Sequence, residues 1–191
     1  MKAKPILFST EMVQTILAGR KTVTRRPIKP QPAGGIRRSV FVKSGLEDMH
    51  GYEIKWPCRI GDVRYVQETW ARISDWAEVD QAVGLFDGYI YRAGWRDAEH
   101  PRWRPSIHMP REAARLFLRV TDVRTERLQD ITEKQAVAEG LTPLIDQQTG
   151  AVLISAKGCF HALWDFIYAA KGCGWEENPW VFVFEFEKTG N

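Results

Sequence analysis

The stretch Gly19-Arg20-Lys21-Thr22-Val23-Thr24-Arg25-Arg26, closed by Pro27, decides how this chain is read. It is basic, hydroxylated and β-branched together, and it follows directly on a helical pattern. Lys4 to Phe8 reads as a short first strand. Ser9 then stands where a side chain caps a helix, Met12, Val13, Ile16 and Leu17 share one face, and Gly19 supplies the left-handed stop. On a flat strand Thr22, Thr24 and Arg26 lie on one face and Lys21 on the other. Lys21 meets Thr24 only if the chain bends just after the helix, and Gly19 allows that bend. A lysine desolvated in a pocket has a lowered pKa and can take a proton from a hydroxyl, turning a neighbouring threonine into a nucleophile. A basic strand edge that repels unwanted pairing accounts for the same residues without chemistry, and both readings stand at this point.

Further along, Gly61-Asp62 makes a turn and Val63 to Trp70 reads as a strand. Period two puts Arg64, Val66, Glu68 and Trp70 on one face. Glu68 then sits between inward-facing Val66 and Trp70, where an apolar setting raises a carboxyl pKa and suits a general acid. Arg64 and Trp70 share that face as candidate ligand contacts. A buried ion pair of Glu68 with Arg64 or Lys21 is the alternative without chemistry. His108, between Pro105 and Pro110, is the histidine placed to line a pocket. His50, His100, His108 and His161 form no HxH or HExxH spacing, so neither a metal nor a cofactor is expected.

The rest of the chain frames these segments. Residues 28–57 form an excursion rich in Pro and Gly, with Ser39–Lys43 and Tyr52–Trp56 able to pair as a hairpin. Residues 74–105 form a second insertion, with Tyr89-Ile90-Tyr91 as a strand and a loop from Pro101 to Pro105. Pro110 starts a helical turn through Arg115. Leu116 to Leu128 alternates as a long strand. Thr132 and Gln135 have capping-box spacing for a helix running towards Gly140. Thr142 to Ala156 reads as a loop. Phe160, Leu163, Trp164, Ile167 and Tyr168 form a helical stripe, and Val181 to Glu187 is an apolar last strand. Regular strand–helix alternation is absent, so the expectation is an α+β fold with a barrel-like sheet, one domain over residues 1–191.

Composition bounds the function. A net charge of +3 over 191 residues is not the footprint of a dedicated nucleic-acid binder. Cys58, Cys159 and Cys173 are an odd set without CxxC spacing, which argues against a disulfide framework and a zinc site. No apolar run reaches the length of a membrane span and the N-terminus lacks a signal-peptide pattern, so no membrane partner and a cytoplasmic location are expected. The eight tryptophans suit core and rim packing, or the stacking of flat ligands. The loop from Trp175 to Trp180 reads as a plug at one end of the barrel or a platform for a base. Arg102 and Arg104 around Trp103 suit phosphate contacts or an ordinary surface.

The block from Gly19 to Arg26 resembles the signature of the ASCH domain, and Gly61-Asp62 leading into Val66-Gln67-Glu68-Thr69-Trp70 resembles the second block of that family. Ile107-His108-Met109-Pro110, the run from Leu116 to Gly140, and Leu163-Trp164 through Asn178-Pro179-Trp180 look like its phage and prophage members. The resemblance implies a small PUA-like β-barrel flanked by helices, with inserted loops and a hairpin. It implies a ligand that is a modified nucleoside or single-stranded RNA. A small member hydrolyses N4-acetylcytidine, and matched by motif position Lys21 is its proton acceptor, Thr24 its nucleophile and Glu68 its proton donor, with Arg26 orienting the substrate. Arg25 departs from the apolar residue of that enzyme. Two other outcomes remain open: a reader of RNA or of a modified base without catalysis, and a metal-independent ribonuclease.

Overall fold

The structure, a computed structural model, describes residues 3–73, 88–96 and 101–189. Strand β1 (Lys4–Leu7) leads into helix α1 (Thr10–Leu17), and the Ser9 hydroxyl caps it by accepting from the Met12 amide. Val13 and Ile16 are the buried face of α1, and Gly19 leaves the helix at φ +71°. Strand β2 (Val23–Pro27) begins two residues after Lys21, so the bend expected after the helix is present and Lys21 stands off the strand.

The excursion after Pro27 forms a hairpin in a different register from the expected one. Its strands are β3 (Ile36–Arg38) and β4 (Leu46–Asp48), paired antiparallel. Ser39 to Lys43 lie in the connecting loop, closed by the Ser39 amide donating to the Gly45 carbonyl, with Gly45 at φ +75°. Val40 and Phe41 are more than nine-tenths exposed, so their apolar character does not mark an inward face. The excursion folds back on the main sheet, where Ile28, Ile54, Cys58 and partly buried Trp56 pack with Val120, Phe182 and Phe184.

Strand β5 (Val63–Gln67) ends three residues before the sequence pattern does. Both neighbours run out there: β1 stops at Leu7 opposite Gln67, and the long strand β8 (Phe117–Arg127) reaches only Tyr65. Beyond this point the Gln67 side-chain amide donates to the Met109 carbonyl and the Glu68 amide approaches the Met109 sulfur. Trp70 therefore belongs to another ribbon, β6 (Trp70–Arg72) paired with β7 (Tyr89–Tyr91). The expected shared strand face of Arg64, Val66, Glu68 and Trp70 is corrected accordingly. Most of the 74–105 insertion lies outside the described residues.

Helix α2 (Glu133–Ala138) carries the reciprocal Thr132–Gln135 capping box. The stretch read as a loop contains a small hairpin, β9 (Leu144–Ile145) with β10 (Val152–Ile154). Ser155 then caps helix α3 (Ala156–Tyr168), which buries Phe160 and Trp164. Strand β11 (Trp180–Lys188) closes the fold.

The main sheet has the order β1-β5-β8-β11-β2, parallel only between β1 and β5. One face carries Val23, Val181 and Val183 against α2 and α3. Elsewhere Phe8, Val66, Leu118 and Phe186 pack with Val13 and Ile16 of α1. The sheet curls until its edges approach, and the Arg26 guanidinium on β2 donates to the Leu7 carbonyl at the end of β1 at 2.6 Å. No ladder joins β1 to β2 among the described residues, so the expected barrel is corrected to an α+β sheet left open at this gap, which the Arg26 side chain bridges.

Candidate active site around Lys21, Thr24 and Glu139

Three pieces of chain meet beside the start of β2: the turn after α1, β2 itself and the end of α2. The Lys21 amide donates to the Thr15 carbonyl and the Thr22 amide to the Ala138 carbonyl, which ties the turn to both helices. Gly140 makes the approach possible. It has φ +94°, and a Cβ there would stand 2.7 Å from Thr15 Oγ1 and 3.1 Å from Lys21 Cβ. Backbone conformation and space both require glycine at that point.

Lys21 is fully enclosed by this arrangement. Its Nζ donates to Glu139 Oε2 at 2.6 Å, to the Val23 carbonyl at 2.8 Å and to the Glu139 carbonyl at 2.9 Å. Three donors thus meet three acceptors. Arg25 holds the other oxygen of the same carboxylate, Nη1 to Oε1 at 3.2 Å, and reaches Glu126 through Nη2 at 3.1 Å. The Lys21 and Arg25 side chains have no exposed surface and Glu139 has 4%. Burial lowers the Lys21 pKa below its ordinary value, with Glu139 opposing and the neighbouring Arg26 and Arg25 charges assisting.

Thr24 is 3% exposed, and its hydroxyl has no hydrogen-bond partner among the described residues. It lines a cavity of about 30 Å³ together with Glu139, Arg26, Met12, Trp164 and Tyr168. That is room for about one water. Arg26 donates to the Tyr168 hydroxyl at 3.4 Å and lies over the Phe8 ring, as Lys21 Nζ does from farther off. Lys21, with lowered proton affinity, touches Glu139, and Glu139 and Thr24 line one cavity that Lys21 itself does not line.

The other residues singled out in the sequence lie elsewhere. Glu68 is 1% exposed and is gripped by Arg115 through both oxygens, at 2.9 and 2.8 Å. Its ion-pair partner is therefore neither Arg64 nor Lys21. Burial raises its pKa, with Arg115 opposing. Trp70 is buried against Tyr89, with the Arg104 guanidinium over its ring. His108 is exposed beside Arg102, Trp103 and Pro105. Arg64 faces a separate cavity at the sheet edge, where its guanidinium reaches the Pro57 carbonyl. Trp175 stacks on His161 and packs on Phe160, which makes its loop part of the α3 packing.

Glu139 and Arg25 complete the cluster and were not among the residues marked as candidates. The sequence holds one physical signal for Glu139. It closes α2 at the helix C-terminus, where the peptide dipoles disfavour an acid and a cation close by would offset them. No group of acids, histidines and cysteines with metal-binding geometry occurs among the described residues. No helix among them is long and apolar enough to cross a membrane.

No family model matches this chain, and no curated protein matches it. A search of solved structures finds an ASCH domain from Lactobacillus crispatus JV V101 at 12% identity and a TM-score of 0.42, covering 93% of this chain and 69% of that one. Likeness at that level carries neither fold nor function over to this chain.

Proposed function

We propose that this chain hydrolyses a small amide, of the N4-acylated cytidine class that its sequence resemblance implies, at Thr24, Lys21 and Glu139. The observation that carries the reading is the buried Lys21–Glu139 contact, with Glu139 and Thr24 lining one cavity. Lys21 passes a proton to Glu139 and then takes the Thr24 proton as Thr24 Oγ1 bonds to the acyl carbon. The Glu139 carboxyl gives its proton to the departing amine nitrogen as the carbon–nitrogen bond breaks. Water then attacks the acyl-threonine, the carboxylic acid leaves and the hydroxyl is restored. Arg26 lines the same cavity and orients the substrate. Entry of a nucleoside requires Met12 and Tyr168 to swing aside, because the cavity holds about one water as it stands.

This reading replaces Glu68 by Glu139 in the acid role, since Glu139 and not Glu68 touches Lys21. Thr24→Val tests it. Valine has the same shape and removes a hydroxyl that holds nothing, so stability should change by less than about 1 kcal/mol. Release of cytidine from N4-acetylcytidine, followed by chromatography, should be present in the parent and absent in Thr24→Val. Equal release by both would refute the nucleophile. Release by neither would refute the reaction.

A further inference from the structure

The gap between the two sheet edges opens into a second cavity of about 350 Å³, on the face away from α2 and α3. That is within the size range of small-molecule sites. Its floor is aromatic: Phe182, Phe184 and Phe186 project from β11, with Leu118 and Val120 of β8 beside them. Phe182 and Phe184 are stacked, 6.2 Å apart at 27°, and Trp56 of the excursion covers the far side of Phe182 at 5.6 Å. The rim comes from β2, β5 and the excursion, which supply Arg26, Lys29, Lys55 and Arg64.

The polar character of this wall is one-sided. Apart from the Cys58 thiol, every polar side chain lining it is a cation, and no carboxylate or amide side chain does so. None of the four cations has a carboxylate within ion-pair distance among the described residues. Arg64 is held in place by the Pro57 carbonyl and Cys58, and Arg26 by the Leu7 carbonyl. Lys29 and Lys55 are exposed at the mouth. Four cations with no carboxylate beside them suit a ligand that is rich in acceptors and carries more than one negative charge. A phosphate monoester meets that need, at about −1.5 to −2 near neutral pH. Rings of phenylalanine beneath it favour a flat aromatic body.

We infer that this cavity is a binding site for an aromatic phosphate monoester of nucleotide type, its base on Phe182, Phe184 and Phe186 and its phosphate among Lys29, Lys55 and Arg64. The site is separate from the Lys21–Glu139 cavity, with Arg26 on the wall of both. A free nucleotide and the 5′-phosphorylated end of a strand present the same chemistry. The inference stands apart from the hydrolase reading: CMP binding with no release of cytidine from N4-acetylcytidine would sustain this one and sink that one.

The test is calorimetric titration of the full chain with CMP, cytidine, glycerol 3-phosphate and a pentanucleotide with and without a 5′-phosphate. The exposed pair is altered in Lys29→Gln/Lys55→Gln, with circular dichroism to verify the fold. CMP should bind at least about tenfold more tightly than cytidine or glycerol 3-phosphate, and the double variant should lose about tenfold or more in CMP affinity. Binding should also weaken with salt. If the phosphorylated pentanucleotide binds more tightly than CMP and the unphosphorylated one does not bind, the strand end is the source. CMP binding as tightly as the pentanucleotide assigns the free nucleotide. The inference is overturned if no phosphorylated probe binds, if cytidine or glycerol 3-phosphate matches CMP, or if the double variant binds CMP like the parent.

Discussion

Replacing Glu139 by Gln keeps the shape of the side chain and removes the one charge shared by two enclosed cations. Lys21 and Arg25 have no exposed side-chain surface, so water cannot replace the lost carboxylate. Removing one partner of a buried ion pair costs about 3–5 kcal/mol. Lys21 keeps the carbonyls of Val23 and Glu139, and Arg25 keeps Glu126, which points to the lower end, about 3 kcal/mol. For a chain of this size that corresponds to a fall of about 6–12 °C in Tm. Urea unfolding followed by circular dichroism measures it, with Glu187→Gln as the control. Glu187 meets Arg119 at 3.7 Å on an exposed face, so its change should stay within about 0.5 kcal/mol. A Glu139→Gln loss no larger than that of Glu187→Gln would refute the claim that this carboxylate holds the cluster together.

Gly140→Ala should destabilise by about 2 kcal/mol or more in the same assay, since it forces a side chain into φ +94° and against Thr15; an unchanged unfolding curve would contradict the packing at that junction. The pH dependence has a definite sign. The Lys21 pKa is lower in the folded chain than in the unfolded one, so between the two values the unfolded state holds more protons and stability rises with pH up to about 10.5. Glu68 acts oppositely at the acid end: its raised folded pKa gives stability that is complete below about 4.5 and is lost as pH climbs through the folded value. Unfolding curves from pH 4 to 10 on the parent, Lys21→Met and Glu68→Gln separate the two slopes, and each variant should lose its own.

Local chemistry was the part of the fold that could be read from sequence. Ser9 and Gly19 bounded α1, Thr132 and Gln135 placed the start of α2, and alternation from Leu116 to Leu128 matched β8, because caps and period depend on neighbours a few residues away. Partner availability was not readable. Val63 to Trp70 alternates without a break, yet β5 stops at Gln67 because β1 and β8 have both ended there. The hairpin of residues 28–57 was misplaced for a related reason: Val40 and Phe41 look like strand interior and are a loop tip, while Gly45 sets the turn.

The site divides along the same line. Lys21, Thr24 and Arg26 are near in sequence; Thr24 and Arg26 line one cavity, and Lys21 is joined to it through Glu139. Glu139 lies 118 positions from Lys21, and the contact exists only once α2 packs on the turn after α1. Glu68 carried the local marks of an acid, a carboxyl in apolar surroundings with a raised pKa, but its partner is Arg115. A candidate acid can be recognised by its setting, whereas the base it serves is a matter of tertiary packing.

The most direct test sets the two carboxylates against each other. Glu139→Gln and Glu68→Gln are assayed with the parent for release of cytidine from N4-acetylcytidine, at a temperature where circular dichroism shows all three folded. The account predicts release by the parent and by Glu68→Gln, with loss of at least about a hundredfold in Glu139→Gln. Release by Glu139→Gln at the parent's rate, with loss in Glu68→Gln, would contradict it.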